Sequence, residues 1–175
     1  MKIIVIYKSR TGFTKRYAQW ISEELSCEIV DYGDIDNLDF NTFDVVIYGG
    51  RVHAGKIDNL NKMKKLFENS KCKLVVFATG ATPFEATKEI EKVMINNFSD
   101  SKIPHFYMQS GLCYEKMSLA DKTIMKMLSK VLTSKAEKSE IEIGTALAIS
   151  KSHDISDKKY IVPLIEFIKE NYDNE

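Results

Sequence analysis

The sequence predicts an α/β fold, a three-layer, doubly wound sandwich around a five-stranded parallel sheet. Three observations predict it. Short β-branched apolar runs recur along the chain. Stretches with the period of an amphipathic helix separate them. A hydroxyl-rich turn joins the first run directly to the first helix, the place where open α/β sheets bind ligands.

Each element follows from its own pattern. Ile3-Ile4-Val5-Ile6, within Met1–Tyr7, reads as a strand buried on both faces. Val45-Val46-Ile47-Tyr48, ending at Gly49-Gly50, and Leu74-Val75-Val76-Phe77-Ala78, ending at Thr79-Gly80, read the same way. Cys27 to Tyr32 is a shorter strand, and His105 to Gln109, after Pro104, another. Phe13, Tyr17, Trp20, Ile21 and Leu25 share one helical face. So do Ile57, Leu60, Met63, Leu66 and Phe67; then Ala86, Ile90, Val93, Met94 and Phe98; then Ile161, Leu164, Ile165, Ile168 and Tyr172. Pro163 marks either the first turn of that last helix or a kink. Strands alternating with helices imply right-handed crossovers and a parallel sheet covered on both faces. Leu112 to about Ser156 breaks the alternation. It holds a basic amphipathic helix, Tyr114 to Leu132, and a polar stretch, Thr133 to Glu140. It reads as an insertion of about 112–156 in a single domain spanning 1–175.

Composition excludes several function classes. The chain has 25 basic and 25 acidic residues, so bulk positive charge for nucleic acid is absent. Cys27, Cys72 and Cys113 are scattered, with neither a CxxC pair nor zinc spacing. No metal site and no disulfide framework is expected, and a reducing, cytoplasmic setting fits. No apolar run reaches membrane-spanning length. The chain enters its first strand at once, so no signal peptide is expected.

Ser9-Arg10-Thr11-Gly12-Phe13-Thr14 carries the chemistry. It turns a helix N-terminus toward the mouth of the sheet, where unpaired N–H groups and the helix dipole favour an anion. Ser9, Thr11 and Thr14 add hydroxyls, and Gly12 lets the backbone approach a ligand. The segment lacks the GK[ST] ending of a nucleotide-hydrolase loop and the GxGxxG of a dinucleotide fold. A polar βα turn capped by Ser9 is the bland alternative. Position after the first strand favours phosphate binding.

The segment resembles the S/T-x-T-G-x-T signature of flavodoxins, whose loop wraps the phosphate of FMN. The likeness in element order covers roughly the first 110 residues and the last helix. It implies strand order 2-1-3-4-5 and FMN as cofactor. It also implies two loops flanking the flavin ring. These are Gly49-Gly50-Arg51-Val52-His53-Ala54-Gly55-Lys56 and Thr79-Gly80-Ala81-Thr82-Pro83-Phe84. Their cofactor-binding candidates are Gly50, Arg51, Val52, His53, Ala54 and Gly55 in the first, and Thr79, Gly80, Ala81, Thr82 and Phe84 in the second. The first loop departs from flavodoxins in having no Trp or Tyr and in being basic, with Arg51, His53 and Lys56. A positive group near the ring stabilises reduced, anionic flavin and raises its potential. That points to two-electron chemistry. Solvated surface charge is the alternative for Arg51 and Lys56, and capping or packing for His53.

Gly50 to Gly55, together with Gly111-Leu112-Cys113-Tyr114 through Asp121-Lys122-Thr123-Ile124-Met125-Lys126-Met127-Leu128, resembles a branch that includes menaquinone-dependent protoporphyrinogen dehydrogenase. The resemblance implies an FMN-dependent oxidoreductase with a quinone, a porphyrinogen or a redox protein as partner, and no certain catalytic side chain. An electron-transfer flavodoxin and a flavin-free domain of the same fold stand beside it. Lys116, Lys122, Lys126 and Lys130, with Lys135 and Lys138 after them, make the inserted helix basic. Peripheral contact with an anionic membrane through 114–132 and simple packing with lysines in water are both compatible with that. The sequence does not fix an oligomeric state.

Overall fold

The computed structural model describes residues 1–99, 101–134, 149 and 151–172. Its elements are β1 (Ile3–Lys8), α1 (Phe13–Leu25), β2 (Glu28–Asp31), β3 (Val45–His53), β4 (Lys56–Ile57), α2 (Leu60–Phe67), β5 (Lys73–Gly80), α3 (Thr87–Phe98), β6 (His105–Gln109), α4 (Leu119–Ser134) and α5 (Val162–Tyr172). Contacts divide the chain into two compact units, Met1–Ser110 with Ser156–Glu175, and Gly111–Ile155.

The first unit is built on a parallel sheet of order β2-β1-β3-β5-β6. Counting only these five strands, that is the expected 2-1-3-4-5. The addition is β4, two residues that pair antiparallel with the end of β3. Alternation along each strand sends side chains to opposite faces. Ile3, Val5 and Tyr7 of β1, Val45 and Ile47 of β3, and Val75 and Phe77 of β5 join Tyr17 and Ile21 of α1 and Leu164, Ile165 and Ile168 of α5. Ile4, Ile6, Val46, Tyr48, Leu74 and Val76 join Leu60, Met63 and Phe67 of α2 and Phe98 of α3 on the other face. Burial on both faces is why these strands read as unbroken apolar runs. Ile4, Val5 and Ile6 are wholly buried, each contributing about 2 kcal/mol of transfer free energy.

Three helical stripes follow the expected faces, and one needs correction. Ile57 lies in β4, not on a helix, and Leu66 is exposed because only Leu60, Met63 and Phe67 keep the buried spacing. Pro163 is the second residue of α5, where its missing N–H has no intrahelical acceptor to lose. The β2–β3 crossover has 3-10 turns at Tyr32–Asn37 and Phe40–Thr42 in place of a helix. Ile35 and Phe43 from this stretch cover the face of the sheet that a helix would have covered.

The second unit starts with a close approach. A Cβ on Gly111 would lie 1.9 Å from the His153 carbonyl oxygen, so only glycine fits there. Leu112 and His153 exchange backbone hydrogen bonds. The Tyr114 hydroxyl donates to the Ile149 carbonyl, and Ser152 Oγ accepts from Tyr114 N–H and donates to Glu115. The Ser152 bond holds the Glu115 carboxyl below its ordinary range. The expected helix Tyr114 to Leu132 divides into a 3-10 turn at Tyr114–Lys116 and α4. Met117 ends the first, its N–H donating to the Tyr114 carbonyl, and Ser118 caps the second, its Oγ accepting from Asp121 N–H at 3.1 Å. Ile124, Met127, Leu128 and Val131 of α4 are exposed. The Leu132 and Thr133 side chains and the rest of the polar stretch, 135–140 with Lys135 and Lys138, lie outside the described residues. Among the described residues no helix is long and apolar enough to cross a membrane.

Candidate functional site

The register of the sheet aligns the expected loops. Lys8 at the end of β1 pairs with Gly50, Gly50 with Ala78, Arg51 with Thr79, and Gly80 with Gln109. The segments after β1, β3 and β5 therefore leave one carboxyl edge side by side.

The turn after β1 depends on Gly12, whose φ of 103° lies in the left-handed region. Gly12 caps α1 with its backbone alone; its carbonyl accepts the first helical bond from Arg16 N–H at 3.0 Å. The Ser9 hydroxyl accepts from Gly12 N–H at 3.1 Å and so braces the turn from inside. The N–H groups of Phe13, Thr14 and Lys15 belong to the first turn, which has no intrahelical acceptors to offer them. No acidic side chain lies in that turn. Thr14 is buried, and its Oγ1 lies 2.8 Å from Thr79 Oγ1, also buried, at the end of β5. One hydroxyl of this pair donates to the other. The accepting hydroxyl keeps its own proton to give elsewhere. Arg10 is exposed, and Thr11 is partly exposed.

The segment Gly49–Lys56 is not a loop. β3 runs on through Gly50, Arg51 and Val52 to His53, because its ladder with β5 persists to Arg51 and β4 then pairs with Val52 and His53. Ala54 and Gly55, both at positive φ, close a two-residue hairpin. Arg51 Nε donates to Asp58 Oδ2 at 2.8 Å, both side chains mostly shielded. Its charge is thus neutralised by an acid seven residues on. Lys56 Nζ donates to the Asn96 carbonyl at the C-terminal turn of α3. Asn97 clamps the hairpin: its Nδ2 donates to the Gly55 and Val93 carbonyls, and its Oδ1 accepts from Ile57 N–H. His53 is exposed at the hairpin's end.

Thr79–Phe84 is a true loop from Ala81 on, since Gly80 still pairs with Gln109. Tyr107 OH donates to the Thr82 carbonyl at 2.9 Å. Phe84 stays 46% exposed, with its ring 5.2 Å from that of Tyr160. Gln109, Tyr160, Tyr17 and Asn97 organise this edge and were not legible as site residues. Asn97 sits in an ordinary helical stretch, and Tyr160 is 76 residues from its partner. Burial pushes the Tyr17 hydroxyl up to about 12 and those of Tyr48 and Tyr107 further still.

A flavodoxin-domain family model matches residues 4–139. The chain belongs to the flavodoxin-domain family. No curated protein matches it by sequence. Among solved structures, an FMN complex of a Lactobacillus acidophilus NCFM flavoprotein is 18% identical, with a TM-score of 0.43 over 62% of this chain and 91% of that one. Oxidised flavodoxin 2 of Bacillus cereus is 17% identical, with a TM-score of 0.42 over 86% and 98%. A WrbA-like flavodoxin of Agrobacterium tumefaciens is 15% identical, with a TM-score of 0.42 over 85% and 94%.

Proposed function

We propose that this flavodoxin-domain chain binds FMN and works as a redox protein. The observation that carries the reading is the left-handed turn at Gly12, which sets the N-terminus of α1 beside Thr79 at the carboxyl edge. The donor set suits a phosphate dianion: first-turn N–H groups, the positive end of a helix, the leftover hydroxyl proton of the Thr14–Thr79 pair, and no carboxylate in the first turn. Phe84, 46% exposed, with the Tyr160 ring tilted 36° beside it, supplies aromatic surface for a ring. Bound FMN would supply one- or two-electron transfer, and the chain would hold it, shield it and set the local charge.

The finer reading is an FMN-dependent oxidoreductase acting on a porphyrinogen or quinone in the cytoplasm, with α4 resting on an anionic membrane. The sequence likeness across Gly50–Gly55 and Gly111–Leu128 supports it. The Arg51–Asp58 ion pair favours a second reading, a redox carrier, because it removes the largest fixed positive charge that argued for two-electron chemistry.

The visible spectrum of purified protein tests the proposal. Yellow protein that releases FMN on acid treatment is expected, with affinity lost when Thr11 and Thr14 are both replaced by valine. Colourless protein that ignores added FMN refutes it. Assays with protoporphyrinogen, menaquinone and NAD(P)H then separate enzyme from carrier.

A further inference from the structure

We propose that Gln109 is a positioning residue that holds Phe84 and Tyr160 together as the surface against which the ring of a bound flavin packs, an inference that rests on the flavin reading above. Gln109 ends β6 and is 7% exposed. Its carboxamide oxygen has two acceptor sites, and both are taken: Phe84 N–H and Tyr160 O–H each donate to Oε1 at 2.9 Å. Its backbone carbonyl accepts from the Tyr17 hydroxyl, which in turn accepts from Asp157 N–H at 3.1 Å. One residue therefore ties the loop after β5, helix α1 and the segment entering α5. These three parts are distant in sequence, and Phe84 and Tyr160 meet through this oxygen and through their own ring contact at 36°.

A buried amide is tolerated only where its polar atoms are bonded. Here the bonds are spent on holding a phenylalanine that stays nearly half exposed, five residues beyond the Thr79 that pairs with Thr14. Keeping a large apolar ring in water by a buried polar anchor gains little for the fold. It suits a face that a flat, apolar group covers on binding.

The test compares Gln109→Met, similar in length but without the acceptor, with Gln109→Glu, which keeps an acceptor oxygen, and with Tyr160→Phe, which removes one donor. Amide exchange at Phe84 is read in the flavin-free protein. FMN affinity is read by fluorescence quenching, and the ring's surroundings by the bound flavin's absorption band. Gln109→Met is expected to speed Phe84 exchange about tenfold and weaken FMN about five- to tenfold, with Gln109→Glu recovering most of both. Thr14→Val should weaken FMN without speeding Phe84 exchange. A folded Gln109→Met protein with wild-type FMN affinity and band shape overturns the proposal. Should that variant not fold, Tyr160→Phe decides it: about threefold weaker FMN with a shifted band supports the role, and no change in either overturns it. Wild-type protein that takes up no FMN refutes the flavin reading itself and the ring-packing role with it. Unchanged Phe84 exchange in wild-type-like, FMN-binding Gln109→Met refutes the positioning role alone.

Discussion

Deleting one hydroxyl of the Thr14–Thr79 pair leaves the other buried with its partner gone. Thr14 is 2% exposed and Thr79 1%, and their oxygens are 2.8 Å apart. A buried hydroxyl stripped of its partner costs about 1–3 kcal/mol, while replacing both partners by apolar groups of the same shape is nearly neutral. Thr14→Val and Thr79→Val should therefore each destabilise the flavin-free protein by about 2 kcal/mol. For a chain of this size that is a fall in Tm of about 4–8 °C. The double variant should lose only about 1–2 kcal/mol against a sum of about 4, a coupling of about 2–3 kcal/mol. Urea unfolding of all four proteins gives the cycle, with a constant m-value confirming that only stability has changed. Single variants costing under about 0.5 kcal/mol, or a strictly additive double variant, would refute the claim that this bond joins the turn after β1 to the end of β5.

Asn97→Ala removes two hydrogen bonds to the β3–β4 hairpin and one to the Val93 carbonyl of α3, and should cost about 2–4 kcal/mol, read by thermal unfolding. Asp58→Asn removes the negative charge that faces Arg51 at 2.8 Å, so a bound flavin's midpoint potential should rise in redox titration; no change would place this pair too far from the flavin to matter, and a fall would contradict the sign of the argument. Alkali should unfold the protein through its buried tyrosines. Burial raises Tyr17 from 10.0 to about 12, so the stabilisation is full below pH 10 and is lost as pH rises toward 12. It amounts to about 2–3 kcal/mol from this residue, with Tyr48 and Tyr107 acting in the same direction. The last part of the tyrosinate absorbance change should come together with the loss of far-UV circular dichroism, and ionisation of all eight tyrosines well before unfolding would contradict it.

The strands were legible because burial on both faces writes itself as a local run: Ile3–Ile6, Val45–Tyr48 and Leu74–Ala78 need no partner to be recognised. The turn at Ser9–Thr14 was legible because hydroxyls, glycine and the strand-to-helix change fall within six residues. The hairpin at Gly49–Ile57 was not, because glycines suggest a loop, and here Gly50 is needed in a strand: a Cβ would fall 2.7 Å from Ile57 and 2.9 Å from the Asp58 carbonyl. The start of α4 was legible in principle. Ser118-Leu119-Ala120-Asp121 has the serine-to-acid spacing of a capped N-terminus, which the longer apolar pattern masked. The roles of Gln109 and Tyr160 are long-range, and a single residue carries no local trace of a partner 51 positions away.

Where an anion should bind follows from chain direction more than from hollow space. An open cleft of about 1070 Å³ lies at the amino edge of the sheet, lined by Met1, Phe43, Asp44, Lys71, Lys73 and Tyr172 among others. In a parallel sheet each crossover helix runs opposite to the strands. Its C-terminus, with outward carbonyls and a partial negative charge, therefore faces the amino edge. Its N-terminus faces the carboxyl edge. Lys71 and Lys73 offer mobile surface charge against that field, whereas the turn at Gly12 offers fixed N–H groups along it. A phosphate ester should accordingly perturb the amides of Gly12–Lys15 in a heteronuclear NMR titration. Perturbation confined to Lys71–Lys73 would show that lysine charge outweighs helix geometry here, and the carboxyl-edge site would be lost.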